Sequence, residues 1–269
     1  MEKPPFFLTI DIRGWTTSEA AKVQRVASKA GWKPVWLMSW TELQDAGLID
    51  EVLKSKEASG AEIGLISGDG VPGANIEEQI AFLTDAVERL SGAKPLVHRA
   101  ADWCVDEALY AALAKNGVKV DVTVTPHVAW DTKHGKADYS TYSEKVYMTP
   151  QGVLEVPVTV RTVAQHELIM DLRKLPTLPG KLVRCLFPTE IWLEPNGRSG
   201  KGLVDLADKC RRDGVLAHMT ITSKCHSQHS ENLLRRLAAF GARTEGWWQA
   251  VSAADLVRDF KQSQQNNAV

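Results

Sequence analysis

The sequence lacks the features that mark several common classes of protein. Its 269 residues include four cysteines, none in a Cys-x-x-Cys spacing, so we predict free thiols rather than a disulfide framework. Lys and Arg (32) balance Asp and Glu (33), which gives no electrostatic reason to expect nucleic acid or an anionic membrane as a partner. The longest apolar runs, such as residues 34–40, are strand-length and too short to span a membrane.

The N-terminus lacks a secretion signal as well. Residues 1–5 (MEKPP) lead straight into an apolar segment. A signal peptide would instead show a basic region, an apolar region and a small-residue cleavage site. We therefore expect a cytoplasmic protein.

What the sequence does contain is a repeated alternation of strand-like and helix-like segments. Residues 5–12 form a continuous apolar run typical of a buried strand, and residues 17–30 follow with apolar residues at helical spacing. The alternation gives about seven or eight strands, and such βα units imply a largely parallel sheet. We predict an α/β fold, a single irregular (β/α) barrel over residues 1–269, with an open doubly wound sheet as the alternative.

Residues 125–151 interrupt this alternation. They are polar, rich in tyrosine and without a clean period. We predict either a long loop at a strand end or a hairpin insert. Loops at the carboxyl ends of parallel strands commonly shape substrate sites.

Two charged residues fall where α/β barrels place their chemistry, at the carboxyl ends of predicted strands. Asp11 ends an apolar run, and a buried carboxylate needs a charged or hydrogen-bonding partner. Arg99, at the end of a later strand, is the obvious one. The pair is either a structural ion pair or a site in which Arg99 keeps Asp11 ionised and oriented. Because side chains alternate along a strand, His98 is expected to point toward the helices.

Four segments together resemble the polysaccharide deacetylase superfamily (NodB-like, carbohydrate esterase family 4). Residues 9–14 (TIDIRG) resemble its T-F-D-D-G motif, and residues 60–70 (GAEIGLISGDG) its G-H-E-I-G-N-H-T-x-x-H motif. Residues 99–103 (RAADW) resemble R-x-P-x-W, and residues 154–157 (LEVP) a strand with an E-x-P signature. The motifs keep their order over nearly the whole chain, which implies the barrel of that family.

The resemblance also implies what is missing. Asp11 falls on the family's catalytic base, but its metal ligands fall on Ile12, Ile66 and Gly70, which carry no side-chain donor atom. In the family the metal polarises the carbonyl and lowers the pKa of its bound water. We therefore expect no metal and no other cofactor here, and metal-dependent deacetylation is not expected.

The predicted site has Asp11 and Arg99 as its catalytic residues. Around them we expect strand-end polar groups and tryptophans, whose indole combines an apolar face with an N–H donor for stacking on sugars. The family's last motif falls either on His218, which keeps its general-acid histidine, or on Thr222. The predicted substrate-binding residues are Trp15, Trp40, Glu62, Asp69, Asp102, Trp103, Asp121, His218 and Thr222.

Two classes of function follow, both with a carbohydrate as ligand. One is an enzyme of deacetylase ancestry acting on an N-acetylated sugar or a surface-polysaccharide precursor, of the kind made in O-antigen biosynthesis. Without a metal, paired carboxylates would support glycoside cleavage instead. The other is an inactive pseudoenzyme that retains the sugar cleft. An unrelated α/β-barrel enzyme with chance motif matches is a third reading.

Overall fold

The computed structural model describes residues 3–68, 70–73, 75–132, 135–163, 189–195 and 200–267. Its helices are α1 (Thr17–Lys29), α2 (Ala46–Ser59), α3 (Ile76–Ser91), α4 (Glu107–Lys115), α5 (Gly200–Asp213), α6 (Ser223–Arg243) and α7 (Ala253–Asn267), with a 3-10 helix at Glu42–Gln44. Its strands are β1 (Pro5–Asp11), β2 (Pro34–Met38), β3 (Glu62–Ser67), β4 (Val97–Ala100), β5 (Val120–Asp121), β6 (Ala129–Thr132), β7 (Gly135–Asp138), β8 (Tyr147–Met148), β9 (Leu154–Glu155), β10 (Val160–Val163), β11 (Thr189–Trp192), β12 (Ala217–Ile221) and β13 (Gln249–Ala250).

The main sheet has nine strands in the order β12-β1-β2-β3-β4-β5-β9-β8, with β13 also beside β1. Its pairs are parallel except for β8 against β9. Helices α1 to α4 each separate successive strands, as parallel connections require. The curled sheet with helices on its outer face confirms the predicted α/β class and the irregular barrel.

Closure of the barrel depends on a few hydrogen bonds beside β12. The amide of Thr159 donates to the carbonyl of His218 (3.2 Å), and that of Leu193 donates to Thr159 (2.9 Å). The amide of Thr220 in turn donates to Leu193 (3.2 Å). The antiparallel ribbon of β10 and β11 therefore fills the gap between the end of β9 and β12, which makes the barrel irregular.

The sheet separates two hydrophobic cores, because side chains alternate between its faces. The barrel interior contains Phe7, Leu37 and Ile66 and is packed against α7 through Leu256. The outer core, between sheet and helices, contains Phe6, Leu8, Ile10 and Ile12, together with residues of α1 to α6. This alternation decides on which side of the sheet each polar strand residue lies.

The interruption at residues 125–151 includes the antiparallel hairpin of β6 and β7. Two other segments differ from expectation. The sequence pattern predicts a helix at residues 163–172 and a strand at residues 182–187. Residue 163 instead ends strand β10, and residues 164–172 and 182–187 lie outside the described residues. The sequence offers no second ligand cluster at a recognised spacing for Cys225, His226 and His229, so it predicts a solvated loop there rather than a metal site. Residues 225–229 instead belong to the first turns of α6.

No helix in the described part of the chain is long and apolar enough to cross a membrane.

Gly64 of β3, a glycine of the second motif, lies where the packing leaves no room for a side chain. A Cβ added there would lie 2.8 Å from Leu37 Cδ2 and 2.9 Å from the carbonyl oxygen of Val97. We predict that Gly64→Ala lowers the free energy of unfolding by about 1–3 kcal/mol, because β3 must shift against its neighbours. Urea unfolding measures it. The matched control is Gly241→Ala, whose Cβ would meet only side-chain atoms at 3.3 Å or more. Its free energy of unfolding should change by no more than about 1 kcal/mol. Equal losses of unfolding free energy in the two variants would contradict the prediction.

Candidate functional site

Asp11 lies in the barrel interior, at the carboxyl end of β1. Its register partner on β2 is Leu37, an interior residue, and its side chain is fully buried. Both carboxylate oxygens are engaged by Arg13, whose Nε donates at 3.0 Å and Nη2 at 2.8 Å and whose backbone amide donates at 3.1 Å. Arg99 pairs with the same carboxylate. The predicted Asp11–Arg99 pair is thus present, with Arg13 as a partner that the sequence did not reveal.

Arg99 lies beside Asp11 on the interior face, since its register partner is the interior residue Ile66. Its side chain is 1% exposed, and its Nε and Nη1 have no hydrogen-bond partner among the residues that the structure describes. The guanidinium carbon lies 4.7 Å from the ring centroid of Trp103, a cation–π contact that offsets part of the desolvation. Arg99 is therefore held between a carboxylate and an indole.

The arginines decide the ionisation of Asp11. Burial alone would raise its pKa, but the charge of Arg99 and the hydrogen bonds and charge of Arg13 outweigh that and hold the pKa below its ordinary value. Asp11 is accordingly a paired carboxylate. A proton acceptor needs a free lone pair directed at the substrate, and the arginines occupy both oxygens.

Three tryptophans from separate segments meet above Arg99. The rings of Trp103 and Trp130 stack at a centroid distance of 5.5 Å and an interplanar angle of 7°. Trp192, at the end of β11, meets them edge-on at 5.8 and 5.9 Å. All three are half-buried. We call Trp103, Trp130 and Trp192 the tryptophan cluster.

The backbone of Trp103 is strained to place its ring. Its φ is +63°, in the left-handed region that a bulky residue seldom adopts. The Tyr139 hydroxyl donates to the Trp103 carbonyl oxygen at 2.8 Å, and the Trp130 indole N–H donates to the Thr125 hydroxyl at 2.7 Å. Strain of this kind collects at functional sites, where the surrounding structure maintains it.

The metal site of the resembling family does not fit the residues present. Ile12 lies in the outer core, whereas Ile66 lies in the barrel interior, on the opposite face of the sheet. Gly70 has no side chain, and a Cβ added there would have nothing within 4 Å. In the described part of the chain, no three His, Cys, Asp or Glu residues are grouped so as to hold a metal.

His218 lies in the barrel interior but is fully used by hydrogen bonds. Its Nδ1 donates to the carbonyl oxygens of Val156 and Pro157 at 3.1 Å, so its Nε2 accepts from the Thr9 hydroxyl at 2.9 Å. Burial lowers its pKa to about 4. His218 is therefore a neutral structural residue with no proton to give at neutral pH.

The alternative residue of the last motif, Thr222, follows β12. Its hydroxyl donates to the carboxylate of Glu194, and its amide donates to the same oxygen at 3.2 Å. Glu194 was not predicted. It lies two residues beyond the end of β11, and its charge acts on Arg99, so Thr222 and Glu194 belong to the barrel mouth.

The remaining predicted residues do not gather at Asp11. Glu62 lies at the amino end of β3, where its carboxylate accepts from the Ala253 amide (2.7 Å) at the start of α7. Trp15 is buried in the outer core, and Trp40 packs edge-on against Phe82 at 4.6 Å. Asp102 lines a cavity beside β3 and β4. Asp69 lies outside the described residues.

Asp121 and His98 lie on the outer face of the sheet, as alternation predicts for His98. The register partner of His98 is Leu65, an outer-core residue. The Nδ1 of His98 lies 2.6 Å from Asp121 Oδ2, and its Nε2 lies 2.7 Å from the Ser67 hydroxyl. All three side chains are buried. They form a second polar centre, separated from Asp11 by the sheet.

Several solved structures match over most of the chain. A protein from Mycobacterium smegmatis assigned as a polysaccharide deacetylase has a TM-score of 0.61 and 14% identity over 97% of this chain and 92% of its own. The fold is that of the polysaccharide deacetylases. A protein from Parabacteroides distasonis assigned as a glycoside hydrolase or deacetylase has a TM-score of 0.58 and 9% identity over 90% and 67%. A GH57 branching enzyme from Thermococcus kodakaraensis has a TM-score of 0.59 and 10% identity over 95% and 71%.

At these low identities the structural matches show the fold alone, and at that level they confirm the resemblance drawn from the motifs. No family sequence model matches the chain, and no curated protein matches it by sequence. What the site does must therefore be argued from its own residues.

Burial of the Asp11 carboxylate should make the stability of the protein depend on pH. We predict that Asp11→Asn lowers the free energy of unfolding at about pH 7 by about 3–5 kcal/mol, because Arg99 is left without its counter-charge. A lowered folded pKa contributes stability above the unfolded value of about 3.9, and this is lost as the pH falls through the folded pKa. The difference in unfolding free energy between the wild type and Asp11→Asn should therefore be smaller at about pH 3 than at about pH 7. Urea unfolding at the two pH values measures this difference.

The control is Asp50→Asn, which removes an exposed carboxylate paired with Lys54 at 2.6 Å. It should change the stability by less than about 1 kcal/mol. A pH-independent loss in Asp11→Asn would show that the carboxylate charge is not what stabilises the barrel.

Proposed function

We propose that this protein binds a carbohydrate at the barrel mouth, such as an N-acetylated sugar or a surface-polysaccharide precursor, and that it has lost the metal-dependent deacetylation of its structural relatives. The observation that carries the proposal is the engagement of both Asp11 oxygens by Arg13 and Arg99, beneath the half-exposed tryptophan cluster.

The tryptophan cluster supports the binding half of the proposal. Indole rings stack on the apolar faces of sugar rings, and their N–H groups add polar contacts. The cluster lies over a fixed positive charge, since Arg99 contacts Trp103 from below. Similar structures include proteins assigned as a polysaccharide deacetylase and as a branching enzyme, which makes a glycan the ligand class that best fits this fold.

The state of Asp11 supports the loss of deacetylation. In that reaction a carboxylate must accept a proton from a metal-bound water. Asp11 is buried and its pKa is held below the ordinary value by two arginines, so its basicity is low. Position 12 faces the outer core while position 66 faces the barrel interior, so side chains there would not converge on one ion. On these grounds the binding reading is favoured over the enzymatic one.

The first prediction of this proposal concerns the tryptophan cluster. Oligomers of N-acetylglucosamine should quench the tryptophan fluorescence of the protein, and Trp130→Ala should weaken binding about tenfold, as expected for losing one aromatic stacking contact. Isothermal titration calorimetry measures both affinities. The matched control is Trp247→Ala, since Trp247 packs against Trp248 and Arg211 in the outer core, away from the cluster.

The same titration separates the alternatives. Equal weakening by Trp130→Ala and Trp247→Ala, or no binding by the wild type, would contradict sugar binding at the mouth. Release of new reducing ends during the titration would favour the metal-independent glycoside hydrolase instead, with Glu194 as the carboxylate to substitute next.

The second prediction concerns the metal. Elemental analysis of the purified protein should find far less than one equivalent of zinc or other divalent ion per chain, and a chelator should leave its thermal unfolding temperature unchanged, because metal-bound folds lose stability when the ion is removed. A protein of the same barrel with intact ligands, prepared in parallel, is the control. One metal ion per chain would show that ligands have been rebuilt elsewhere.

A further inference from the structure

The second polar centre consists of Ser67, His98 and Asp121 at the ends of three neighbouring strands. Because β3, β4 and β5 are adjacent and parallel, these side chains emerge in a row on the outer face of the sheet. The Ser67 hydroxyl lies 2.7 Å from His98 Nε2, and His98 Nδ1 lies 2.6 Å from Asp121 Oδ2. Nucleophile, base and orienting carboxylate follow one another at hydrogen-bonding distance.

The available donors and acceptors fix the direction of these hydrogen bonds. The carboxylate of Asp121 can only accept, so Nδ1 of His98 carries the proton and Nε2 is left to accept from the Ser67 hydroxyl. The orientation of Asp121 is fixed separately, since its oxygens also accept from the Thr123 amide at 3.0 Å and the Thr123 hydroxyl at 3.1 Å. This is the arrangement in which a histidine activates a serine for nucleophilic attack.

A second carboxyl group, that of Glu155, lies beside Asp121 as its register partner on β9. Glu155 is completely buried, and burial together with the neighbouring charge of Asp121 raises its pKa well above the ordinary value. Its oxygens accept from the Tyr110 hydroxyl at 2.9 Å and from the Val124 amide at 3.1 Å. Asp121, rather than Glu155, is therefore the carboxyl group that contacts His98.

Ser67 lines a cavity of about 610 Å³ on the outer face. Other residues of its wall include Gln79, Ala100, Asp102, Asp106 and Lys136. This volume lies within the range of small-molecule sites. The first turns of α3 and α4 also border it, through Ile76 and Leu109.

We propose that Ser67, His98 and Asp121 form a metal-independent active site that hydrolyses a small carboxylic ester bound in this cavity. Ser67 Oγ bonds to the ester carbonyl carbon while its proton passes to His98 Nε2. The C–O bond to the alcohol breaks, and the alcohol leaves with that proton. Water, deprotonated by His98, then attacks the acyl-serine, which releases the carboxylic acid and returns the proton to Ser67.

This activity is independent of sugar binding at the barrel mouth. Ser67 and Ile66 are consecutive residues that face opposite sides of the sheet, Ile66 toward Asp11 and Arg99. Cys104 and Val105, which line the cavity, follow Trp103 directly, so a loop joins the two sites without merging them. An experiment can therefore exclude one of the two proposed functions without excluding the other.

The test uses the full chain, p-nitrophenyl acetate and a fluorophosphonate probe. We expect a burst of p-nitrophenol followed by turnover, and mass spectrometry should place one phosphonate on Ser67. Ser67→Ala should abolish labelling, and His98→Asn should slow acylation by about a thousandfold, as in other hydrogen-bonded serine nucleophiles. Asp121 acts through His98, so Asp121→Asn should lower kcat with little change in KM.

The matched control is Ser39→Ala. Ser39 is also a buried serine just beyond a neighbouring strand, and its hydroxyl donates to a carboxylate, that of Glu42, with no histidine between them. This variant should keep the labelling and the turnover of the wild type. Equal loss in Ser39→Ala and Ser67→Ala would overturn the proposal.

Labelling of the wild-type protein needs no variant, so it decides the question even if Ser67→Ala fails to fold. A folded wild type that takes no phosphonate, or takes it only on another residue, would show that the three side chains merely satisfy one another's hydrogen bonds. Titration with N-acetylglucosamine oligomers on the same sample reports the barrel mouth separately, so a failure here is distinguishable from a failure of sugar binding.

Discussion

The burial of one guanidinium is the constraint on which the barrel interior depends. A charged group removed from water needs a counter-charge and hydrogen bonds, and without them the cost is several kcal/mol. Arg99 meets this requirement with Asp11 below and the ring of Trp103 above. Arg13 then supplies a second cation to the same carboxylate. The left-handed backbone of Trp103 belongs to the same arrangement, since its indole lies over the guanidinium.

Because side chains alternate along each strand, the buried polar residues form two separate centres, one on each side of the sheet. Consecutive residues of β4 face opposite sides, so Arg99 enters the interior while His98 enters the outer core. Each polar side chain then finds partners on its own side: Asp11 for Arg99, and Ser67 with Asp121 for His98. A buried polar side chain needs hydrogen-bond partners on its own side of the sheet. The two centres therefore lie on the same strands, but no hydrogen bond joins the side chains of one to those of the other.

Local chemistry made part of this arrangement predictable from the sequence. An aspartate that ends an apolar strand and an arginine at the end of another imply an ion pair, and both Asp11 and Arg99 lie where that reasoning places them. Alternation likewise gave the outward direction of His98. The sequence motifs indicated the fold but not the ends of strands: Glu62, two residues before the motif glycine Gly64, lies at the amino end of β3 and accepts a hydrogen bond at the start of α7. Ser67 carries no local signal, since its role depends on side chains from two other strands.

The barrel mouth differs from a metal-dependent site in the state of its carboxylate as well as in the side chains at positions 12 and 66. A carboxylate beside a metal-bound water must keep an oxygen free to accept a proton, and at Asp11 the arginines take both oxygens. Positions 12 and 66 face opposite sides of the sheet, so histidine or aspartate there would not meet at one ion. Metal ligands alone would therefore not make Asp11 a proton acceptor, because Arg13 would still occupy its carboxylate. The interior charge of the barrel is balanced within the protein, which agrees with the neutral ligand proposed for the mouth.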